Sequence, residues 1–272
     1  RQVVAPVDVV DVGDLLAAVD ALAPFALAED WDNVGLMVGR RGREVTTVLV
    51  ALDLRPAVLD EALALGAQAI LVHHPPIFPA LSAVSDARTS GRLVLRAAED
   101  RVAIIAAHTN LDSARGGLND LMADALGMTA TTPLVPSPRN PALGLGRVGE
   151  VPATTLGALA AMAVREFCPR TANLGLAGHP DMPVQRIAIC TGSGGSLIDA
   201  ARDCGAQAYV TGDLKYHDFD AAEGMGLVNV AHGAVEGHVL RMWTPLLAAA
   251  LSTTRVQVMS SSVDTDPWCA AC

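Results

Sequence analysis

The chain has almost no lysine. Lys215 is the only one among 272 residues, so positive charge is nearly all arginine, and 19 Lys and Arg against 29 Asp and Glu leave a net charge of −10 at pH 7. That balance argues against a nucleic-acid partner, because phosphate backbones are held by clustered Lys and Arg; a local basic pocket is still compatible with it. Aromatic residues make up 3% of the chain, which obliges the core to be aliphatic, while 51% hydrophobic and 18% charged residues exclude a disordered chain and suit an α/β protein. The cysteines are few. Cys168, Cys190 and Cys204 are scattered through apparent helix and strand segments, so no disulfide framework is expected and a reducing cytoplasm is the natural setting. Cys269 and Cys272 form a lone C-x-x-C that reads as a tail feature rather than a zinc or redox site. Long apolar runs are also missing. The Ala-rich stretch Val151 to Val164 falls short of the roughly 20 apolar residues needed to span a bilayer. The N-terminal stretch reaches Asp8, Asp11 and Asp14 before any signal-like apolar run. A soluble protein with no membrane partner is the expectation.

What is present is an alternation of strands and helices. Leu15, Leu16, Val19, Leu22 and Ala23 line one face of a helix running to Phe25. The polar stretch Glu29 to Leu36, with Trp31 embedded in it, reads as a turn held by its own Asp and Asn side chains, or as a cation loop. Apolar runs predict strands at Thr46–Leu52, Ala69–Val72, Val102–Ala107, Val184–Cys190, Ala208–Thr211 and Leu227–Ala231. Helices are expected at Pro56–Leu65, Arg92–Glu99, Leu118–Leu126, Leu156–Phe167 and Leu197–Cys204, with a further helix opening at His232 that Pro245 should kink or interrupt. This order implies parallel or mixed sheets with helices on their faces. Thr131 to Leu145, rich in Pro and Gly, reads as a linker. It would divide the chain into a first α/β lobe, residues 1–130 completed by 232–272, and a second α/β lobe, residues 131–231.

Six of the seven histidines fall at strand ends, and only His179 lies in an evident loop. His73 and His74 follow the strand Ala69–Val72 and precede Pro75 and Pro76, so both should sit on extended backbone and point to opposite sides. On that reading they serve two neighbouring ions rather than chelating one. His108 and Asp112 follow the next strand, in what reads as a strand-to-loop turn. His232 and Glu236 are four apart, which on a helix places both on one face. Imidazole and carboxylate together favour zinc, iron, manganese or cobalt over magnesium and calcium. Two such ions about 3.5–4 Å apart could activate water and polarise a substrate oxygen. The turn Gly192-Ser193-Gly194-Gly195-Ser196 lacks the Lys-Ser/Thr ending of a P-loop and the spacing of a dinucleotide fingerprint. It is either a seat for a substrate phosphate, with Lys215 as a counter-charge, or a purely structural tight turn. Lys215 could equally pair with Asp213 or Asp218, and His217 and His238, taken singly, read as structural.

Together, Glu29-Asp30-Trp31-Asp32-Asn33-Val34-Gly35, His73-His74-Pro75, His108-Thr109-Asn110-Leu111-Asp112, Gly192 to Ser196, Gly212-Asp213-Leu214-Lys215-Tyr216-His217 and the His232/Glu236 pair resemble the GTP cyclohydrolase I type 2 homologs, or Nif-three-like proteins, over nearly the whole chain. The resemblance implies two interlinked α/β lobes with mixed sheets, a dinuclear metal site in the cleft between them, and a toroidal homohexamer. It implies two divalent metal ions per chain (zinc, iron or manganese), with His74 and Asp112 on one, His73 and His232 on the other, and Glu236 between them. His108 would be an extra ligand or proton carrier, catalytic together with Glu236. Relatives usually carry an aromatic residue after the last histidine, where this chain has Gly233. The implied activity is metal-dependent hydrolysis of a phosphate-bearing, nucleotide-like small molecule, as in opening of the GTP purine ring. The alternative is a non-catalytic metal-binding ring serving metal trafficking or protein scaffolding.

Overall fold

The computed structural model describes residues 9–168 and 175–267, so Cys269 and Cys272 lie outside the described residues. Asp11 starts the first helix, α1 (Val12–Leu22), through a reciprocal box in which Asp11 accepts from the Asp14 amide at 2.9 Å and Asp14 accepts from the Asp11 amide at 3.0 Å. The chain continues through β1 (Gly35–Val38), β2 (Thr47–Ala51), α2 (Pro56–Ala64), β3 (Ala69–Val72), α3 (Thr89–Glu99), β4 (Ala103–Ala106) and the single-turn α4 (Thr109–Ser113). Then come α5 (Leu118–Ala125), β5 (Thr129–Ser137), β6 (Asn140–Thr155), α6 (Leu156–Phe167), β7 (Gly175–Ala177), β8 (Pro183–Ser193) and α7 (Ile198–Asp203). The last elements are β9 (Ala208–Gly212), α8 (Asp218–Ala221), β10 (Gly226–Val230), α9 (His232–Ala250) and β11 (Gln257–Ser260).

These elements form two compact units, each with its own sheet. The first takes in the described chain up to Leu111 together with Trp243–Thr265. Its five strands run in the order β1-β4-β3-β2-β11. All neighbours are parallel except β1, which is antiparallel to β4. β3 and β4 are buried along their whole length, as expected for parallel strands covered on both faces. Leu49, Ile70, Val72 and Ile104 pack with Val58 and Leu59 of α2 and Leu93 of α3. Each such aliphatic side chain contributes about 1.5–3 kcal/mol on full burial.

The second unit runs from Asp112 to Met242 and includes Asp266. Its six strands are ordered β5-β6-β8-β9-β10-β7, with β8, β9 and β10 parallel and the remaining neighbours antiparallel. Its core gathers Val148, Ala188, Ile198, Tyr209 and Leu227.

The mixed α/β architecture with two sheets agrees with the sequence. The linker does not: Thr131 to Leu145 lies in the β5–β6 hairpin. Pro133 and Pro136 are tolerated because β5 is an edge strand. The division of the chain accordingly falls at Leu111/Asp112 and Met242/Trp243, away from residue 130. Pro245 interrupts nothing, since α9 is helical throughout, with Trp243 and Leu247 buried on either side of it.

Candidate metal centre

In the first unit three adjacent parallel strands end at one edge of the sheet. β2 leads to Asp53, β3 to His73 and His74, and β4 to His108. The ladder is prolonged just past the strands, with the His73 amide donating to the Ala51 carbonyl at 3.1 Å and the His74 amide to the Leu52 carbonyl at 2.9 Å. Here the chain bends, and the strict alternation of an extended strand fails. The rings of His73 and His74 are therefore neighbours, with centroids 5.1 Å apart, and His108 lies 5.1 Å and 5.6 Å from them. One ring nitrogen from each of the three falls within 4.8 Å of the others. The expectation that His73 and His74 point apart is corrected by this bend. The three rings form a group that could hold a metal ion.

Each ring is held at Nδ1. His73, fully buried, meets the Ala107 carbonyl at 2.9 Å, His74 meets Asp53 at 2.9 Å, and His108 meets Asp32 at 2.9 Å. Asp32 also accepts from the Thr109 amide at 3.0 Å and the Thr109 hydroxyl at 2.5 Å. Burial pushes the Asp32 pKa up, but the bonds from His108 and Thr109 outweigh it and bring it down to about 2. Asp53 follows the same pattern: burial raises its pKa, and bonds from His74 and Thr265 lower it further than that. The Asp32 loop keeps a local bond of the expected kind, the Asn33 amide donating to Asp32 at 2.8 Å, and the same carboxylate is the support of His108. Partners of this kind on the far ring nitrogen are typical of metal-ligating histidines, because they fix both tautomer and ring orientation.

The second unit repeats the device with more acid. β8, β9 and β10 are parallel neighbours; β8 carries Gly192 next to its last residue, β9 leads to Asp213 and β10 to His232. Asp213 meets His232 Nδ1 at 2.6 Å, and Glu236, one turn along α9, meets its Nε2 at 2.8 Å. Glu236 and Asp112 are both buried, and a carboxylate oxygen of each lies within 4.8 Å of the other. Burial, followed by the charges of Asp112 and Glu236, pushes the nearby Cys190 thiol far up. Asp112 accepts from the Thr191 hydroxyl at 3.0 Å, and Asn119 ties the Thr191 amide (2.9 Å) to the Asp112 carbonyl (3.1 Å). Asp112 sits in α4, one turn of helix rather than the loop expected. Gly192 has φ +70°, and a Cβ there would collide with Oε1 of Glu236.

Of the glycine turn, Gly192 alone packs against these groups, at Glu236. The Gly192 and Gly194 carbonyls accept from the Thr211 and Tyr209 hydroxyls at 3.3 Å and 2.9 Å. A Cβ on Gly195 would come 2.9 Å from Asp218, the residue that accepts from the Lys215 amide at 2.7 Å. Ser193 is the last residue of β8 and Ser196 lies in a short 3-10 turn. His217 stacks edge-on with exposed Tyr216, and His238 lies 3.7 Å from Glu166. Asp32, Asp53 and Asp213 are the residues that sequence reasoning did not assign.

Fold and site define a mixed α/β protein whose histidine and carboxylate groups could hold metal. Residues 10–267 match the family described as Duf34/NIF3 (NGG1p interacting factor 3), and the chain belongs to that family. It is 36% identical to a GTP cyclohydrolase 1 type 2 homolog of Streptomyces coelicolor, over 94% of this chain and 93% of the relative. It is 31% identical to NIF3-like protein 1 of Drosophila melanogaster, over 94% and 89%. Among solved structures, the Bacillus cereus protein related to NIF3 superposes with a TM-score of 0.90 at 25% identity, over 97% of this chain and 100% of that one.

Proposed function

We propose that the protein is a dinuclear-metal hydrolase acting on a nucleotide-like substrate. The observation that carries this reading is that His73, His74, His108 and His232 are each fixed through Nδ1, an arrangement that supports Nε2 as the nitrogen facing an ion. The donor chemistry fits. Neutral imidazoles with the carboxylates of Asp112 and Glu236 suit zinc, iron or manganese, and two buried acids so close together favour cationic charge beside them. In this reading His73, His74, Asp112, His232 and Glu236 hold two divalent ions. Bound there, the ions would supply a more acidic water and polarise a substrate oxygen.

The chain's own residues do the rest. Asp32 keeps His108 oriented for accepting and passing on a proton, and Asp213 holds the ring of His232 oriented for ligation. Glu236 is the second group placed to take a proton. The tight packing of Gly192 to Ser196 supports a structural turn over a phosphate seat. Nucleotide-like chemistry is suggested by the relatives' name, GTP cyclohydrolase 1 type 2 homolog. We further read the protein as a cytoplasmic homohexamer, on the family resemblance and its free thiols Cys168, Cys190 and Cys204. Among the described residues no helix is long and apolar enough to cross a membrane.

Metal-loaded protein incubated with GTP and a panel of phosphoesters tests the activity. Turnover abolished in His74→Ala is the expected result; no turnover above that variant would leave the non-catalytic metal-binding ring as the better reading.

A further inference from the structure

Two large aromatic side chains stand exposed beside His108. Trp31 is 61% exposed and Phe78 46%, in a chain with few aromatics to spend. Their rings meet edge-on at 5.9 Å, and both meet the His108 ring nearly perpendicularly, at 6.4 Å and 6.2 Å. An exposed tryptophan on a loose loop would mean little, but this loop is fastened at several points. The Glu29 amide donates to the Thr109 hydroxyl at 3.0 Å, and Asp32 holds His108 and Thr109. The Asn33 side chain donates to the Ile77 carbonyl at 2.5 Å, which locks the Trp31 loop to the segment carrying Phe78. The pair is thus preorganised, and leaving it exposed forgoes the burial that a core position would give.

We propose that Trp31 and Phe78 are the seat of the planar heteroaromatic ring of the substrate. The ring lies on the open face of Trp31, its edge bounded by Phe78, and its polar rim is directed toward His108. This places the reacting part of a purine-like base, rather than its phosphate, next to the histidine group. The inference rests on the hydrolase reading above, but it concerns binding and can be tested apart from turnover. Stacking tolerates any π-face, so the aromatic pair selects for the presence of a ring, and the polar neighbours select among rings.

The test uses metal-loaded protein titrated with guanosine 5′-monophosphate and, separately, with ribose 5-phosphate, followed by calorimetry and by tryptophan fluorescence. Trp243 is buried, and the Trp31→Leu variant supplies the background signal. Guanosine monophosphate should bind and quench Trp31, whereas ribose 5-phosphate should bind far more weakly. Trp31→Leu should weaken the nucleotide by about tenfold or more, with Trp31→Phe restoring most of it and ribose 5-phosphate unaffected. Equal binding of the two probes, no binding of the nucleotide, or unchanged nucleotide affinity in Trp31→Leu overturns the proposal. So does a changed native mass for Trp31→Leu, which would make the pair a subunit contact. Ring binding that depends on Trp31 without any turnover of GTP would sink the hydrolase reading and leave this one standing. Phosphoester turnover that ignores Trp31→Leu and shows no ring preference would do the reverse.

Discussion

Asp213 holds His232 at Nδ1, 2.6 Å away, while Glu236 holds the opposite nitrogen of the same ring at 2.8 Å. One imidazole is thus fixed between two carboxylates, one from the end of β9 and one from the first turns of α9. Asp213 has a left-handed backbone, φ 55°, a conformation that Asn adopts nearly as readily as Asp. Asp213→Asn should therefore fold normally while losing the charge that orients the ring. Metal affinity should drop by about 10–100-fold, the usual cost of removing an outer-shell partner. Chelator competition checks this, and an unchanged affinity would show that the contact does not tune a ligand.

Gly192 is required twice, by its φ of +70° and by the space that Glu236 occupies. Gly192→Ala should destabilise the protein by about 1–3 kcal/mol and displace Glu236, lowering metal content even where the protein remains folded. Urea denaturation together with elemental analysis separates the two effects. Wild-type values in both would mean that the turn yields easily.

Asp32 titrates at about 2 in the folded protein against an ordinary value of 3.8. The folded value is the lower one, so unfolding takes up a proton between them. The stability Asp32 contributes is complete above the unfolded value and is lost as pH falls toward 2. Asp32→Asn should cost about 1–3 kcal/mol at neutral pH by leaving the His108 and Thr109 donors poorly matched. Its stability should also fall less steeply than that of the wild type on acidification below about pH 4. Urea midpoints across that range decide; parallel slopes would remove Asp32 from the acid response.

Asp32, Asp53 and Asp213 mark where the sequence stops being legible. His74, His108 and His232 are conspicuous because each follows an apolar strand, and the strand-end position is a local property. Their supports are not local: Asp32 lies 76 residues from His108, Asp53 21 from His74, and Asp213 19 from His232. Nothing in spacing alone pairs them. A search for one acid just beyond each neighbouring parallel strand would have found Asp53 and Asp213. The β5–β6 hairpin is hidden for a different reason, since Pro133, Pro136 and Gly144 look like a linker, and only the edge position of β5 makes the two prolines acceptable in a strand. β11 was missed because its residues are only partly buried, so it carries no apolar run.

The hexamer expected from the family resemblance gives a plain measurement. Light scattering at micromolar concentration should return six times the 28.1 kDa chain mass. A monomer would reject the ring and the scaffold reading that uses it.

The sharpest test of the metal centre compares Glu236→Gln with His73→Ala. Glu236 is 2% exposed, lies one helical turn from His232, and has the carboxylate of Asp112 within 4.8 Å. Two buried carboxylates so close repel each other, and divalent cations offset that repulsion more effectively than any rearrangement of the packed turn at Gly192 allows. If two ions share the site, they repel in turn, and a common carboxylate between them is the natural remedy. Family resemblance gives that place to Glu236. Glu236→Gln keeps the shape and removes the charge, so both ions should be lost or weakened together. His73→Ala removes one neutral ligand and should lower the content by about one ion per chain. Metal analysis after dialysis against a weak chelator reads the difference. Two ions retained in Glu236→Gln, with both lost in His73→Ala, would show that the buried histidine rather than the carboxylate holds the pair together.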